Sequence, residues 1–331
     1  MAKARIADVA KAAGVSTATV SRALSLPDMV GIETRARVLR AVAETGYRAN
    51  GAARDLRRRR ARAITMLVPN LANTFFSRIV AAVQEIAGGA GLSVQVVDSL
   101  VEGARLGPIG SDGRTDGILL LDGSLDPSIL DGWTVPVVML CEWIDGAAMP
   151  CVGIDNAAAI GLAVDHLAGL GHRRIAHLGG PEGNVLARTR AAGFAAALAR
   201  AGLAPAATLE GDFTMESGAR AARAWAAQPA RATAVACASD ESALGFISEC
   251  DRMGIACPRD VSVTGFDDIE FSDRFIPPLT TVHQPREMLG RRAAEHLVAA
   301  LADAAPLGTR LRMLPSRLVV RGSTARPAVG A

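Results

Sequence analysis

The chain has 331 residues, half of them hydrophobic and 21% charged, which is enough for a small module plus one or two larger domains with real cores. No N-terminal apolar stretch resembles a signal peptide and no apolar run reaches bilayer-spanning length, so no membrane partner and a cytoplasmic location are expected. Charge is divided unevenly: residues 1–62 hold 14 Lys and Arg against five acids, a net +9, whereas the whole chain is +3, leaving −6 for residues 63–331.

In chain order, the first signal is a pair of short helices. Ile6, Val9, Ala10, Val15, Val20, Ala23 and Leu24 fall where two crossed helices bury side chains, with Gly14 at the turn and Ser16 as a good N-cap for the second helix. That spacing leaves Thr17, Ala18, Ser21 and Arg22 exposed near the second helix's N-terminus, the part that enters a major groove in a helix-turn-helix. An ordinary helical hairpin would give the same pattern. The basic excess favours the DNA-binding reading, because cations on a module of this size release phosphate counterions. A third helix is expected from Glu33 to Thr45, with Val38, Leu39, Val42 and Ala43 on one face, Gly46 ending it and Tyr47 folding back.

Residues 50–60 are helix-compatible but too short and too charged to stand alone, and Leu56 is their only large apolar side chain. Such a segment is either a solvated tether or a helix that forms when DNA neutralises its arginines.

The remainder alternates. Apolar runs at 64–68, 94–97, 117–121, 135–140, 175–178, 234–237 and 261–264 read as buried parallel strands, with helices among them at 77–87, 157–170, 188–201, 217–227 and 242–251. Two open, doubly wound sheets fit the length, with ligands expected beyond the carboxyl ends of the strands. The five cysteines (Cys141, Cys151, Cys237, Cys250, Cys257) and five histidines show no metal-ligand or disulfide spacing, so buried reduced thiols and no metal or other cofactor are expected.

The block from Ile6 to Leu24, then Gly46-Tyr47-Arg48-Ala49-Asn50, resembles the lactose-repressor (LacI/GalR) family of bacterial regulators. The body continues the likeness in order: Val68-Pro69-Asn70, Asn73-Thr74-Phe75-Phe76, Gly171-His172-Arg173-Arg174, Arg188-Thr189-Arg190, Ser239-Asp240, Gly265-Phe266-Asp267-Asp268 and Pro277-Pro278-Leu279-Thr280-Thr281. Within the family, Val15 to Leu24 with Pro27-Asp28, and Gly211 to Thr214, look closest to the cytidine-responsive regulators.

The resemblance implies a helix-turn-helix module over residues 1–48, a hinge over 49–62, and a periplasmic-binding-protein-like α/β body over 63–331. The body's two lobes would span 63–155 with 286–313, and 156–285 with 314–331. By family position, Thr17, Ala18 and Arg22 face base edges, and Ser16, Thr19 and Ser21 suit phosphates; Asn50 and Arg57 join the DNA contacts, and Leu56 wedges into the minor groove. Paired wedges imply a homodimer on near-palindromic double-stranded operator DNA. The effector, a sugar or nucleoside, would lie between the lobes. Phe75, Phe76 and Phe213 would stack on it, Arg190 would clamp hydroxyls, and Asp267, Ser239 and Asp240 would complete the polar contacts. Each phenylalanine has a plainer reading as core, and each charged residue as a surface ion pair.

Two departures stand out. Cys141-Glu142 occupies the place of the family's Asp-Arg, so that acidic contact is either absent or supplied by Glu142. Residues 100–115 are short and glycine-rich where the family carries a full helix, and no leucine heptads follow Arg321 to build a tetramer. An enzyme would need a nucleophile motif, phosphate loop or metal cluster, and none occurs. A solute-binding transport protein would explain the body but not residues 1–62.

Overall fold

The computed structural model describes residues 4–47, 60–303 and 311–328, and the chain divides into two compact units between Ala61 and Arg62. In the first unit, α1 (Ile6–Ala13), α2 (Thr17–Ser25) and α3 (Ile32–Thr45) each contribute one fully buried valine, Val9, Val20 and Val38, to a common core. Ala10, Ala13, Ala23 and Ala41 fill the space between them, and Tyr47 packs on this core as expected. Gly14 ends α1 at φ 63°, a left-handed conformation that glycine adopts without strain, and Ser16 Oγ starts α2 by accepting the Thr19 N–H at 3.1 Å. The third helix begins at Ile32 rather than Glu33, and Gly46 ends it at φ 64°.

The body holds two six-stranded sheets. The first contains β1 (Ala63–Val68), β2 (Ser93–Asp98), β3 (Gly117–Leu120), β4 (Val137–Leu140), β5 (Cys151–Ile154) and β11 (Leu311–Leu314), in the order β11-β5-β4-β3-β1-β2, all parallel. The second contains β6 (Ile175–Leu178), β7 (Ala207–Leu209), β8 (Ala234–Cys237), β9 (Ser262–Asp267), β10 (Thr280–His283) and β12 (Arg317–Val319), in the order β12-β10-β9-β8-β6-β7. Its edge strand β12 runs antiparallel to β10, a departure from purely parallel pairing. The chain passes between the sheets three times, after β5, after β10 and after β11.

Strands β1, β3, β4, β6 and β8 are buried at every residue, which is why they read as unbroken apolar runs. Residues 94–97 correct the expectation of a buried strand. They belong to β2, at the sheet edge, where exposed and half-buried residues alternate through Ser93, Val94, Gln95 and Val96. Helix α4 (Phe76–Gly89) packs against α9 (Arg286–Asp303) on the first sheet; α5 (Asn156–Gly169) pairs with α6 (Val185–Arg200), and α7 (Met215–Ala226) with α8 (Asp240–Arg252), on the second. Gly193 permits the α5–α6 approach, since a Cβ there would lie 2.4 Å from the Ala157 carbonyl oxygen. Residues 99–106 form one helical turn and one tight 3₁₀ turn rather than a full helix, with Leu106 buried beneath them.

Candidate functional site

Arg190 lies one turn into α6, whose first turn is capped by Asn184: its Oδ1 accepts the N–H groups of Leu186 and Ala187. The Arg190 side chain is 3% exposed. Its Nε donates to Asn156 Oδ1 at 2.9 Å and its Nη1 to the Ala238 carbonyl at 2.6 Å, while the guanidinium carbon sits 3.8 Å from the Phe266 ring centroid and 5.6 Å from that of Phe213. Nη1 is also 3.8 Å from Asp267 Oδ1, the same oxygen that accepts the Gln284 amide at 2.7 Å. Burial pulls the Arg190 pKa down and the Asp267 carboxylate pulls it back up; a guanidinium remains charged throughout. Burial also pushes Asp267 well above the usual carboxylate range, opposed by Arg190.

The facing wall comes from the first sheet. Phe75 and Phe76 meet edge to face at 5.2 Å where α4 begins, and Cys141 and Glu142 follow β4. Glu142 is buried; its Oε2 accepts the Gly123 N–H at 2.9 Å and the Asn184 amide at 3.1 Å, the latter from the opposite sheet's share of the chain. Desolvation raises its pKa to about 7. Three further bonds join the same two walls: Thr74 gives its N–H and hydroxyl to Glu241 Oε1, both at 2.9 Å, and Arg188 pairs with Asp145.

These side chains line a partly open cavity of about 140 Å³. Phe75, Phe76, Arg190, Phe213, Ser239 and Asp267 all line it, so six residues spread over nearly 200 positions are brought together. Asp240 is the correction. It is fully buried beneath the cavity rather than facing it, because its carboxylate is occupied by the Ile269 N–H and the hydroxyls of Ser272 and Thr281. Ser239 lines the cavity while also capping α8 through the Ser242 N–H. Among the described non-glycine residues with positive φ, three line the cavity: Cys141 at 67°, Phe213 at 66° and Asp267 at 120°.

Asn70, Asn73, Leu100, Pro181, Asn184, Leu186 and Asp212 also line it and were not foreseen as contacts. Asn184 carried a readable signal, an N-cap residue just before an apolar helical run, but the helix was expected to start only at Arg188.

On the module, Thr17, Ala18 and Arg22 are exposed, whereas Ser21, expected on the same exposed face, is half-buried. Ser16 is exposed and Thr19 half-buried; their hydroxyls already bond to each other at 2.9 Å. Asn50, Leu56 and Arg57 lie outside the described residues.

A three-helix module with a recognition helix, followed by a two-sheet body with a cavity lined from both sheets, defines a ligand-responsive DNA-binding regulator. Residues 5–50 match the model for bacterial regulatory proteins of the lacI family, and residues 164–324 match a periplasmic binding protein-like domain. The chain is 37% identical to the HTH-type transcriptional repressor CytR of Escherichia coli (strain K12) over 97% of its own length and 96% of that protein. It is 33% identical to the repressor PurR of Photobacterium profundum over 91% of the chain and 92% of that protein. The crystal structure of the lac repressor dimer bound to operator and the anti-inducer ONPF superposes with a TM-score of 0.86 at 32% identity, covering 98% of this chain and all of that one. The chain belongs to the lacI family of bacterial transcriptional regulators. No described helix is long and apolar enough to cross a membrane.

Proposed function

We propose that the protein is a cytoplasmic homodimeric repressor whose affinity for a near-palindromic operator is controlled by a small sugar or nucleoside held in the cavity between its two sheets. The observation that carries the effector reading is the convergence of Arg190, Asp267 and Ser239 with Phe75, Phe76 and Phe213 on one cavity. Aromatic faces stack on a sugar or base, and a buried guanidinium beside a carboxylate holds hydroxyl groups in a fixed direction. We assign residues 1–48 to DNA binding, 49–62 to a hinge, and 63–155 with 286–313, and 156–285 with 314–331, to the two lobes.

On DNA, Arg22, with Thr17 and Ala18, reads base edges, while Ser16, Thr19, Ser21, Asn50 and Arg57 contact the backbone. Leu56 wedges the central base step; Leu56→Ala then reduces operator bending in circular-permutation gels and leaves the body's stability unchanged. The direct test is a thermal-shift screen of sugars and nucleosides, followed by operator gel shifts with and without each hit. An effector raises the melting temperature and changes operator affinity; a hit that stabilises the body without changing DNA binding refutes its role as effector.

A further inference from the structure

Three acids line the cavity, and they are not equivalent. Asp267 has the Arg190 guanidinium 3.8 Å away, and Asp212 has Arg220 at 3.1 Å. Glu142 is buried with neutral donors alone on its Oε2, the Gly123 N–H and the Asn184 amide, and its Oε1 has no hydrogen-bond partner among the described residues. Both donors are held by the fold: Gly123 follows β3, and Asn184 is fixed by capping α6. A Cβ at position 123 would come within 2.5 Å of the Trp143 carbonyl oxygen, so the backbone that presents this N–H is tightly confined. The arrangement is therefore an acid aimed by two neutral groups, with its other oxygen left for the ligand.

Resting on the sugar-or-nucleoside reading, we propose that Glu142 is the specificity-determining residue of the cavity: Oε1 accepts a hydrogen bond from a hydroxyl or amino group of an uncharged ligand, and the carboxylate rejects the phosphorylated form of the same compound. A phosphate ester brought into this space meets an acid without a paired cation, and close like charges in a desolvated site are strongly unfavourable. Arg190 offsets this only in part, because its single positive charge is shared between Asp267, 3.8 Å away, and Glu142.

The test is equilibrium binding to the full-length protein, at pH 8, of matched pairs: ribose and ribose 5-phosphate, cytidine and cytidine 5′-phosphate, adenosine and adenosine 5′-phosphate. At least one uncharged member is expected to bind about thirtyfold or more tightly than its phosphate ester. Glu142→Gln is expected to narrow that gap about tenfold and Glu142→Asp to preserve most of it. Should Glu142→Gln fail to fold, Glu142→Leu, which fills similar volume without charge, takes its place. Equal binding of ester and uncharged partner in every pair that binds, or a gap unchanged by removing the charge, overturns this assignment and leaves the effector reading standing. Binding of no pair member by the wild type at millimolar concentration overturns the sugar-or-nucleoside reading, and this inference with it.

Discussion

Arg22 and Arg190 carry the same guanidinium in opposite surroundings. Arg22 is exposed on α2, and among the described residues its side chain makes one long hydrogen bond, from Nε to the Ala18 carbonyl at 3.5 Å. Arg190 is buried, bonded to a side chain and a carbonyl, stacked on Phe266 and opposed by Asp267. The exposed arginine keeps its hydrogen-bonding capacity for a partner, so its removal should be felt in binding alone. The buried one is part of the fold as well as of the cavity, so the same substitution there disturbs both. Surface recognition and enclosed recognition thus differ in how far function can be changed without changing stability.

The largest effect should come from Arg190→Ala. It strands Asp267 in a desolvated site and should destabilise the body by about 3–5 kcal/mol in denaturant titrations, in addition to removing the effector response. Loss of the response with unchanged stability would place Arg190 in the same class as Arg22 and break the contrast.

Asp240→Ala comes next. It leaves the Ile269 N–H and two hydroxyls without their acceptor; the hydroxyls can rotate, so the cost is that of the one fixed N–H, about 1–3 kcal/mol. Because Asp240 lies beneath the cavity, effector affinity of the folded variant should remain near the wild-type value by calorimetry. Arg22→Ala should cost about 1–3 kcal/mol on the operator, with little change on random DNA and no change in melting temperature. An equal loss on both DNAs would remove Arg22 from the base contacts. Ser16→Ala, which deletes the N-cap of α2, should lower the module's stability by about 1 kcal/mol, read by circular dichroism.

The smallest effect is a pH dependence. Burial raises the Glu142 pKa to about 7, so the folded body holds a proton that the unfolded chain releases near the ordinary value of 4.5. Glu142 therefore costs stability as pH rises from about 4.5 to 7, and the cost is complete above 7. His166, His172, His177 and His296, whose pKa values are lowered by burial, act in the opposite direction. The quantity to compare is thus the melting temperature of Glu142→Gln minus that of the wild type, expected to become more positive from pH 5 to pH 8. A flat difference would show that Glu142 is ionised throughout.

Much of this architecture is legible in the sequence for a physical reason. Strands buried on both faces, such as β6 and β8, are unbroken apolar runs, and their positions read directly. Strand β10, Thr280–His283, is hidden because its threonines are satisfied by partners distant in sequence: Thr280 by Ser323 and Thr324, Thr281 by Asp240. Helix α9 was missed although Leu289, Ala293 and Leu297 recur at helical spacing along its buried face. In the cavity, Phe75, Phe76, Arg190, Ser239 and Asp267 read from family motifs, whereas Asn70 and Asn73, inside the same kind of motif, did not stand out as contacts. Asp240 shows the limit, since a carboxylate's direction depends on which hydroxyls reach it and a motif does not record that.

The left-handed backbone at Cys141, Phe213 and Asp267 sets a limit on engineering. L-residues in that region hold strain on the order of 1–3 kcal/mol each, maintained by the packing around them. Glycine would relieve that strain, for example in Cys141→Gly, but it would also delete a buried side chain from the core and the cavity wall, so a less sharply shaped cavity is expected without a gain in heat resistance. Backbone strain and side-chain packing are therefore tied together at these residues, and a retargeted sensor built on this scaffold should leave them intact and draw its added stability from the helix surfaces instead.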